Sequence, residues 1–290
     1  MPAKSPQINK SFKVVNGGLL KKLFKGKAKS GSLKCFRVIN EERLKELFKG
    51  KVEFGSIKKE TLSDQRYLFI CMTPRSGSTF LGSLLRANSF PQTGEHFRMV
   101  GGTLDKRLSI SGAATFEEMF KFIVETKSSP DGLFSTKCDF PQFYPLLASG
   151  VFEHYLSNVS WVMLNRNDIL LQAISLFIAK KSNYFHTSKE HLKYRTEVNS
   201  VEYDYNEILS CLNSIENMRA DWERFFQAFS INPLRISYED LVADAAGTVT
   251  DIADFSGFML PNGSGVEVGE PGSTRSSLAT ETAIKPVSTQ

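Results

Sequence analysis

Short apolar runs alternate with longer amphipathic stretches through the middle of the chain. The runs YLFICM and VSWVMLN are typical of buried strands, LRISYEDL predicts a further strand, and GLFSTK precedes VSWVMLN. Helical spacing of apolar residues predicts helices at 78–88, 115–127, 168–181, 205–229 and 246–258. Strands separated by helices of this length imply right-handed crossovers. The pattern therefore predicts an α/β fold of three layers, with a central parallel sheet and helices on both of its faces.

The two ends of the chain differ in composition from this middle part. The net charge is +5, but residues 1–66 carry 17 Lys and Arg against 6 Asp and Glu, so the remainder carries 19 against 25. Residues 261–290 are rich in Gly, Ser, Thr and Pro and show almost no apolar periodicity. We therefore expect a basic N-terminal extension at 1–65, a folded domain at 66–260, and a flexible C-terminal tail at 261–290.

The basic extension contains a two-copy repeat. The segment LKKLFKGKAKSGSLK, from Leu20, matches LKELFKGKVEFGSIK, from Leu44, at 10 of 15 positions. Each copy predicts a short basic helix that ends at Gly26 or Gly50. In one interpretation the apolar side chains dock on the folded domain while Lys faces water. In the other, the cationic surface contacts an anionic membrane or an acidic carrier; we expect no nucleic-acid partner.

Several protein classes are excluded by what the chain lacks. No run approaches the ~20 consecutive apolar residues that span a bilayer, and the N-terminal segment has no apolar stretch of signal-peptide type. The four cysteines form no CxxC pair, and the four histidines form no HExxH pattern. We expect a cytoplasmic protein with reduced thiols and no metal site.

The hexapeptide PRSGST, residues 74–79, joins the first predicted strand to the first predicted helix without any acidic residue. Ligands of parallel sheets bind beyond the carboxyl ends of the strands, and the first turn of a helix offers unpaired N–H groups and positive potential. The segment adds a permanent cation, three hydroxyl groups and a glycine. These residues are Arg75, Ser76, Gly77, Ser78 and Thr79. The loop therefore predicts an anion site, whereas ordinary N-capping by Ser or Thr is the alternative.

The identity of the anion is narrowed by the spacing. A mononucleotide-binding loop of the type GxxxxGK[ST] needs a Lys after its last glycine, and Ser78 follows Gly77 here. The spacing therefore argues against a phosphoryl-transfer enzyme built on that loop. Such an enzyme remains an alternative, as does an inactive scaffold that holds an anionic partner through the basic extension.

Four ordered segments together resemble one family. They are CMTPRSGSTFLGSLL, GEHF, LNRNDILLQAISLF and DWERFFQAFSINPLRISYEDLVADAAGTVTDIADFSGF, and they resemble the trehalose-sulfotransferase-like family of sulfotransferases over about residues 66–260. The resemblance implies a P-loop-like sulfotransferase fold and 3′-phosphoadenosine 5′-phosphosulfate (PAPS) as donor. It further implies sulfuryl transfer to a hydroxyl of a carbohydrate, lipid or other small-molecule acceptor, with 3′,5′-phosphoadenosine as product. A homodimer is also expected from related proteins.

The same resemblance assigns roles to individual residues. PRSGST matches the loop that cradles the 5′-phosphosulfate, where Arg75 neutralises charge without a metal. Arg166 and Ser175, nine residues apart, match the pair that grips the ribose 3′-phosphate. Glu95 in TGEHF matches the carboxylate assigned as general base. The adjacent His96 is the alternative base, although it occupies a position where the family usually has an aromatic residue.

Each of these assignments has a simpler alternative. Arg166 could form a surface ion pair with Asp168, Ser175 could bond its own helix, and Glu95 could be a solvated carboxylate. A further basic contact near the C-terminus would fall on Arg275, where the surrounding sequence departs from the family pattern. For the acceptor pocket we expect loops at 98–114, 137–144 and 182–195, and no residue in them identifies the acceptor.

Overall fold

The computed structural model describes residues 65–98, 103–182, 185, 201–261 and 266–268. The basic repeat of the N-terminal extension lies outside the described residues. Most of the predicted tail, Arg275 and nearly all of the segment 182–195 lie outside them as well.

Four parallel strands form the described sheet. They are β1 (Arg66–Met72), β2 (Leu133–Cys138), β3 (Val159–Asn165) and β4 (Leu234–Ser237). The strand order is β2-β1-β3-β4, so β1 lies between β2 and β3. The strands end in register, because Cys71 pairs with Cys138 and Asn165 pairs with Ser237. The segments that follow the four strands therefore meet at one edge of the sheet.

Helices connect these strands and flank the sheet. They are α1 (Ser78–Ala87), α2 (Thr103–Ser111), α3 (Phe116–Lys127), α4 (Phe140–Ala148), α5 (Val151–Tyr155), α6 (Ile169–Ser182), α7 (Tyr205–Ala228), α8 (Tyr238–Ala243) and α9 (Ala245–Ser256). None of the helices in the described ranges is long and apolar enough to cross a membrane.

The two faces of the sheet carry separate hydrophobic cores. Tyr67 and Phe69 of β1 belong to one core with side chains of α3, α4, α5 and α7. Leu68 and Ile70 alternate with them and belong to the other core, with side chains of α1, α8 and α9. Burial of both faces explains why β1 is a continuous apolar run rather than an alternating one. The predicted three-layer α/β fold with a parallel sheet is confirmed.

Three local predictions need correction. The segment YEDL is helical rather than a continuation of the last strand, because Ser237 Oγ accepts a hydrogen bond from Asp240 N at 3.0 Å and caps α8. Much of the predicted loop 98–114 is helix α2. The predicted loop 137–144 is the end of β2 followed by α4, whose N-terminus is capped by Asp139, with Gln142 N 2.9 Å from its Oδ1.

Candidate active site

The loop after β1, residues 74–79, has an unusual backbone conformation. Arg75 has φ 67° and Gly77 has φ 92°, both in the left-handed region that side chains disfavour. Gly77 is the N-cap of α1, and no side chain caps the helix. The alternative of ordinary capping by Ser or Thr is therefore wrong. The N–H groups of the first turn have no partner within the helix and lack a side-chain cap, as an anion site requires.

One loop hydroxyl is left unsatisfied in the protein interior. Ser76 is fully buried, and within the described part of the chain its Oγ has no hydrogen-bond partner. Ser78 is buried as well, whereas Thr79 is exposed at the start of α1. A buried hydroxyl without a partner costs free energy, so Ser76 is a donor that a bound anion would satisfy.

Arg75 and Ser175, which the resemblance assigns to different phosphates, are in direct contact. Arg75 Nε donates to Ser175 Oγ at 3.0 Å, and Arg75 Nη1 donates to the carbonyl oxygen of Phe185 at 2.6 Å. Ser175 lies two turns into α6, and Arg75 reaches it across the edge of the sheet. The loop and α6 therefore form one continuous polar surface.

Arg166 follows the end of β3, and its guanidinium lies over an aromatic ring. Its guanidinium carbon lies 4.9 Å from the centre of the Tyr238 ring. Its Nε is buried and, among the described residues, has no hydrogen-bond partner. Asp168 does not pair with it in the described structure, since Asp168 Oδ1 accepts from Leu171 N at 2.8 Å and caps the start of α6. The predicted alternative, a surface ion pair of Arg166 with Asp168, is therefore wrong.

The buried side chain of Gln172 and the half-buried side chain of Arg219 hold the loop and Arg166 in place. The Gln172 amide donates to Thr73 Oγ1 at 2.8 Å and to the carbonyl of Pro74 at 2.7 Å. Arg219 from α7 donates to Gln172 Oε1 at 2.9 Å and also to the carbonyl oxygen of Arg166. Helices α6 and α7 therefore fix the segments after β1 and β3 relative to each other.

Glu95 is surrounded by donors and cations. Its Oε2 accepts from Gln142 Nε2 at 3.0 Å, Arg98 Nη1 lies 3.8 Å from Oε2, and Lys137 Nζ lies 3.8 Å from Oε1. The Glu95 side chain is 20% exposed. It is a held carboxylate that still reaches solvent, rather than a freely solvated one.

Lys137 links this carboxylate to the loop 74–79, which we call the anion loop. Its Nζ donates to Thr79 Oγ1 at 3.4 Å, and its backbone N–H donates to the carbonyl of Gly94 at 3.0 Å, beside Glu95. The side chain is 10% exposed, and burial lowers the pKa of its ammonium group. A cation from β2 therefore stands between the loop of β1 and the carboxylate.

His96 is fully engaged inside the protein. It is 1% exposed, its Nε2 lies 2.9 Å from the carbonyl oxygen of Gln92, and its Nδ1 lies 2.8 Å from Arg107 Nη2. Burial and the neighbouring guanidinium lower its pKa to about 4. Since both ring nitrogens have partners, His96 offers no free nitrogen to an acceptor hydroxyl.

A comparison with protein families identifies much of this region. Residues 127–265 match the family model described as Stf0 sulphotransferase. The chain is therefore similar to the Stf0 sulfotransferases over this segment. The match confirms the resemblance to the trehalose-sulfotransferase-like family and supports sulfuryl transfer in general. Lys137, Arg166 and Ser175 lie inside the matched segment, whereas the loop 74–79 and Glu95 precede it.

Comparisons with individual proteins add less to this assignment. One solved structure that the chain resembles is the sulfotransferase domain of the olefin synthase from Synechococcus PCC 7002. The two are 17% identical over 70% of this chain and 78% of that chain, with a TM-score of 0.33. No curated protein matches the chain. The assignment therefore rests on the family match.

The sequence pattern did not single out four residues of the candidate site: Lys137, Gln172, Arg219 and Tyr238. A signal was present for two of them. Lys137 lies in the otherwise uncharged run LFSTKC, and Gln172 interrupts the apolar run ILLQAI. A polar side chain within a buried element needs a partner, so such interruptions are useful indicators of a site.

Proposed function

We propose that this protein is a sulfotransferase that moves the sulfuryl group of PAPS to a hydroxyl of a small-molecule acceptor, such as a carbohydrate or a lipid. The observation that carries the proposal is the position of Lys137, whose ammonium lies 3.4 Å from Thr79 Oγ1 of the anion loop and 3.8 Å from Glu95 Oε1. Sulfuryl transfer needs positive charge beside the transferred group and a base beside the acceptor. One residue contacts both parts of the site.

The donor set of the protein suits a ligand with two anionic groups. For the 5′-phosphosulfate we propose the N–H groups of Gly77, Ser78 and Thr79, the buried Ser76 hydroxyl and the Arg75 guanidinium. For the 3′-phosphate we propose Arg166 and Ser175. The unpartnered Ser76 Oγ and Arg166 Nε, within the described residues, support this division, because each is a buried donor without an acceptor.

The residues then have complementary tasks in the reaction. PAPS supplies the sulfuryl group, whose bond to the nucleotide phosphate breaks as the acceptor oxygen attacks sulfur in line. Glu95 takes the proton of the attacking hydroxyl group, and Gln142 orients the carboxylate through its 3.0 Å hydrogen bond. Arg75 and Lys137 stabilise the negative charge that develops on the oxygens around sulfur. These cations belong to the chain itself, so we assign no step to a metal.

The two other function classes have weaker support. A phosphoryl-transfer enzyme would use Lys137 in place of the missing loop lysine, and it would require ATP and magnesium. An inactive scaffold would have no use for a held carboxylate beside a buried cation.

We further propose that the chain divides into a basic extension at 1–65, a catalytic domain at 66–260 and a C-terminal tail at 261–290. We also propose a cytoplasmic location and a homodimer. For the basic extension we propose either docking on the catalytic domain or contact with an anionic membrane or acidic carrier.

An activity assay tests the proposal. The purified protein is incubated with PAPS and a panel of sugars, lipids and other alcohols, and the release of 3′,5′-phosphoadenosine is measured with and without a chelator. We expect acceptor-dependent release that the chelator does not reduce. Release that requires added magnesium, or hydrolysis of ATP in place of PAPS turnover, would support the phosphoryl-transfer alternative instead.

A further inference from the structure

Tyr238 contacts both halves of the proposed donor site. A β-carbon built on Gly77 would lie 2.4 Å from Cδ2 of Tyr238, so the ring fills the space that a side chain at this loop position would need. The guanidinium of Arg166 lies over the same ring, 4.9 Å from its centre. One aromatic side chain therefore lies against the anion loop after β1 and against the arginine after β3.

The backbone around Tyr238 is fixed to the same two segments. Tyr238 begins α8 directly after β4, and Ser237 both caps this helix and pairs with Asn165 of β3. The neighbouring Glu239 accepts a hydrogen bond from Asn167 N at 2.9 Å through its Oε2. The ring is therefore held by a strand end that has a defined register with the segment of Arg166.

The contact also constrains how Arg166 presents its donors. A guanidinium that lies over the face of an aromatic ring can still direct its N–H groups toward an anion beside the ring. The carbonyl oxygen of Arg166 is bound by Arg219, so its backbone is fixed independently of the ring. Within the described residues the Nε of Arg166 has no hydrogen-bond partner, and the Tyr238 ring lies against the guanidinium.

We propose that Tyr238 is a positioning residue that sets the arrangement of the anion loop relative to the Arg166 guanidinium. It thereby determines the preference for nucleotides that carry both a 5′ and a 3′ phosphate. This inference rests on the proposed function, because it takes Arg166 as the 3′-phosphate contact. Replacement of the ring by an aliphatic side chain should weaken binding of 3′,5′-phosphoadenosine by about 3- to 30-fold, the range of a partly buried cation–π contact.

The test compares two ligands and four proteins by isothermal titration. The ligands are 3′,5′-phosphoadenosine and adenosine 5′-monophosphate, which lacks the 3′-phosphate. The proteins are wild type, Tyr238→Leu, Arg166→Ala and the double variant. We expect Tyr238→Leu to lower the affinity for the bisphosphate more than the affinity for the monophosphate. In the Arg166→Ala background the same change should have little further effect, because both substitutions remove the same arrangement.

Two variants keep the test independent of folding. Tyr238→Phe retains the ring and should bind the bisphosphate within about 2-fold of wild type. A trifluorinated phenylalanine at position 238 has nearly the same shape but a depleted ring face, so it should bind more weakly than Tyr238→Phe. This series applies even where Tyr238→Leu fails to fold.

The outcomes separate this inference from the proposed function. Equal binding by the Phe and trifluorinated variants, or a loss in Tyr238→Leu that is the same for both ligands and additive with Arg166→Ala, would overturn the inference alone. Wild-type protein that binds no 3′,5′-phosphoadenosine would overturn the proposed function and the inference together.

Discussion

Lys137 Nζ lies 3.8 Å from Oε1 of Glu95, although Glu95 follows α1 and Lys137 lies in β2, with α2 and α3 between them along the chain. The same nitrogen donates to Thr79 Oγ1 at 3.4 Å. The anion loop itself has Ser78 where nucleotide-binding loops place a lysine. In this fold the neighbouring strand supplies that positive charge, and it supplies it next to a carboxylate.

Replacement of Glu95 should separate chemistry from donor binding. We expect Glu95→Gln to lower turnover by about 10²–10⁴-fold and to leave the affinity for 3′,5′-phosphoadenosine nearly unchanged, because the amide keeps the shape but accepts no proton. Steady-state kinetics and titration on the same preparation measure the two quantities. Glu125→Gln, an exposed carboxylate of α3, is the matched control. Full turnover in Glu95→Gln would exclude Glu95 as the base.

Replacement of Lys137 should remove charge stabilisation. We expect Lys137→Met to lower turnover by about 10²–10³-fold, the effect of losing one preorganised donor at a developing charge. The comparison is Lys180→Met, an exposed lysine of α6 that should have no effect. If both variants turned over at the wild-type rate, Lys137 would have no part in the reaction.

Turnover should also depend on pH through Lys137. Burial lowers the pKa of its ammonium group, and only the protonated form carries the charge. Activity should therefore fall as pH rises, with a midpoint below the ordinary lysine value of about 10.4. Measurement of kcat against pH should show this alkaline decrease in wild type and not in the residual activity of Lys137→Met. An unchanged alkaline limb in the variant would assign the decrease to another group.

The contact between Ser175 and Arg75 predicts an intermediate effect. Ser175→Ala removes the acceptor of the Arg75 Nε hydrogen bond. The affinity for 3′,5′-phosphoadenosine should fall by about 5-fold, which corresponds to one net hydrogen bond of about 1 kcal/mol. Ser83→Ala is the control, because Ser83 is exposed on α1 and its Oγ donates to its own helix backbone, the carbonyl oxygen of Phe80, at 2.7 Å. An equal affinity of the two variants would show that Ser175 does not contribute.

The buried imidazole of His96 predicts a pH dependence of stability rather than of turnover. Burial lowers its folded-state pKa to about 4, so between about pH 4 and its unfolded value of about 6.5 only the unfolded chain binds the proton. The neutral His96 therefore contributes up to about 3 kcal/mol to the free energy of unfolding. This contribution is fully present above about pH 6.5 and is lost as the pH falls toward about 4.

Urea unfolding at about pH 7 and about pH 5 measures this contribution as a difference between wild type and His96→Gln. The difference is needed because burial raises the pKa of Asp139 to about 7, which changes stability in the opposite direction. An NMR titration of the His96 ring provides a second readout that does not depend on the variant. A midpoint near the ordinary histidine value would contradict the buried, neutral state.

The sheet could be predicted from the sequence because a strand that is buried on both faces is a continuous apolar run. β1 and β3 are continuous apolar runs, and the helices between them repeat with helical spacing. The end of β4 is harder to predict, since Tyr238 and Leu241 are compatible with a strand as well as with a helix. The hydrogen bond from Asp240 N to Ser237 Oγ decides it, and that contact depends on the backbone leaving the sheet.

The sequence supplies part of the candidate site, and the limit has a physical origin. The loop 74–79 is proposed because its chemistry is local, and Arg166, Ser175 and Glu95 are proposed through the family resemblance. Lys137, Gln172 and Arg219 act across the sheet edge on segments 47 to 99 residues away along the chain. Such contacts follow from strand order and register, which periodicity alone does not provide.

Titration with 3′,5′-phosphoadenosine tests the central claim most directly. Isothermal titration of the purified protein with this bisphosphate, alongside ATP with magnesium, is repeated on Arg166→Ala. We predict tight binding of the bisphosphate without metal and a marked loss of affinity in the variant. Preference for ATP with magnesium, or no nucleotide binding at all, would contradict it.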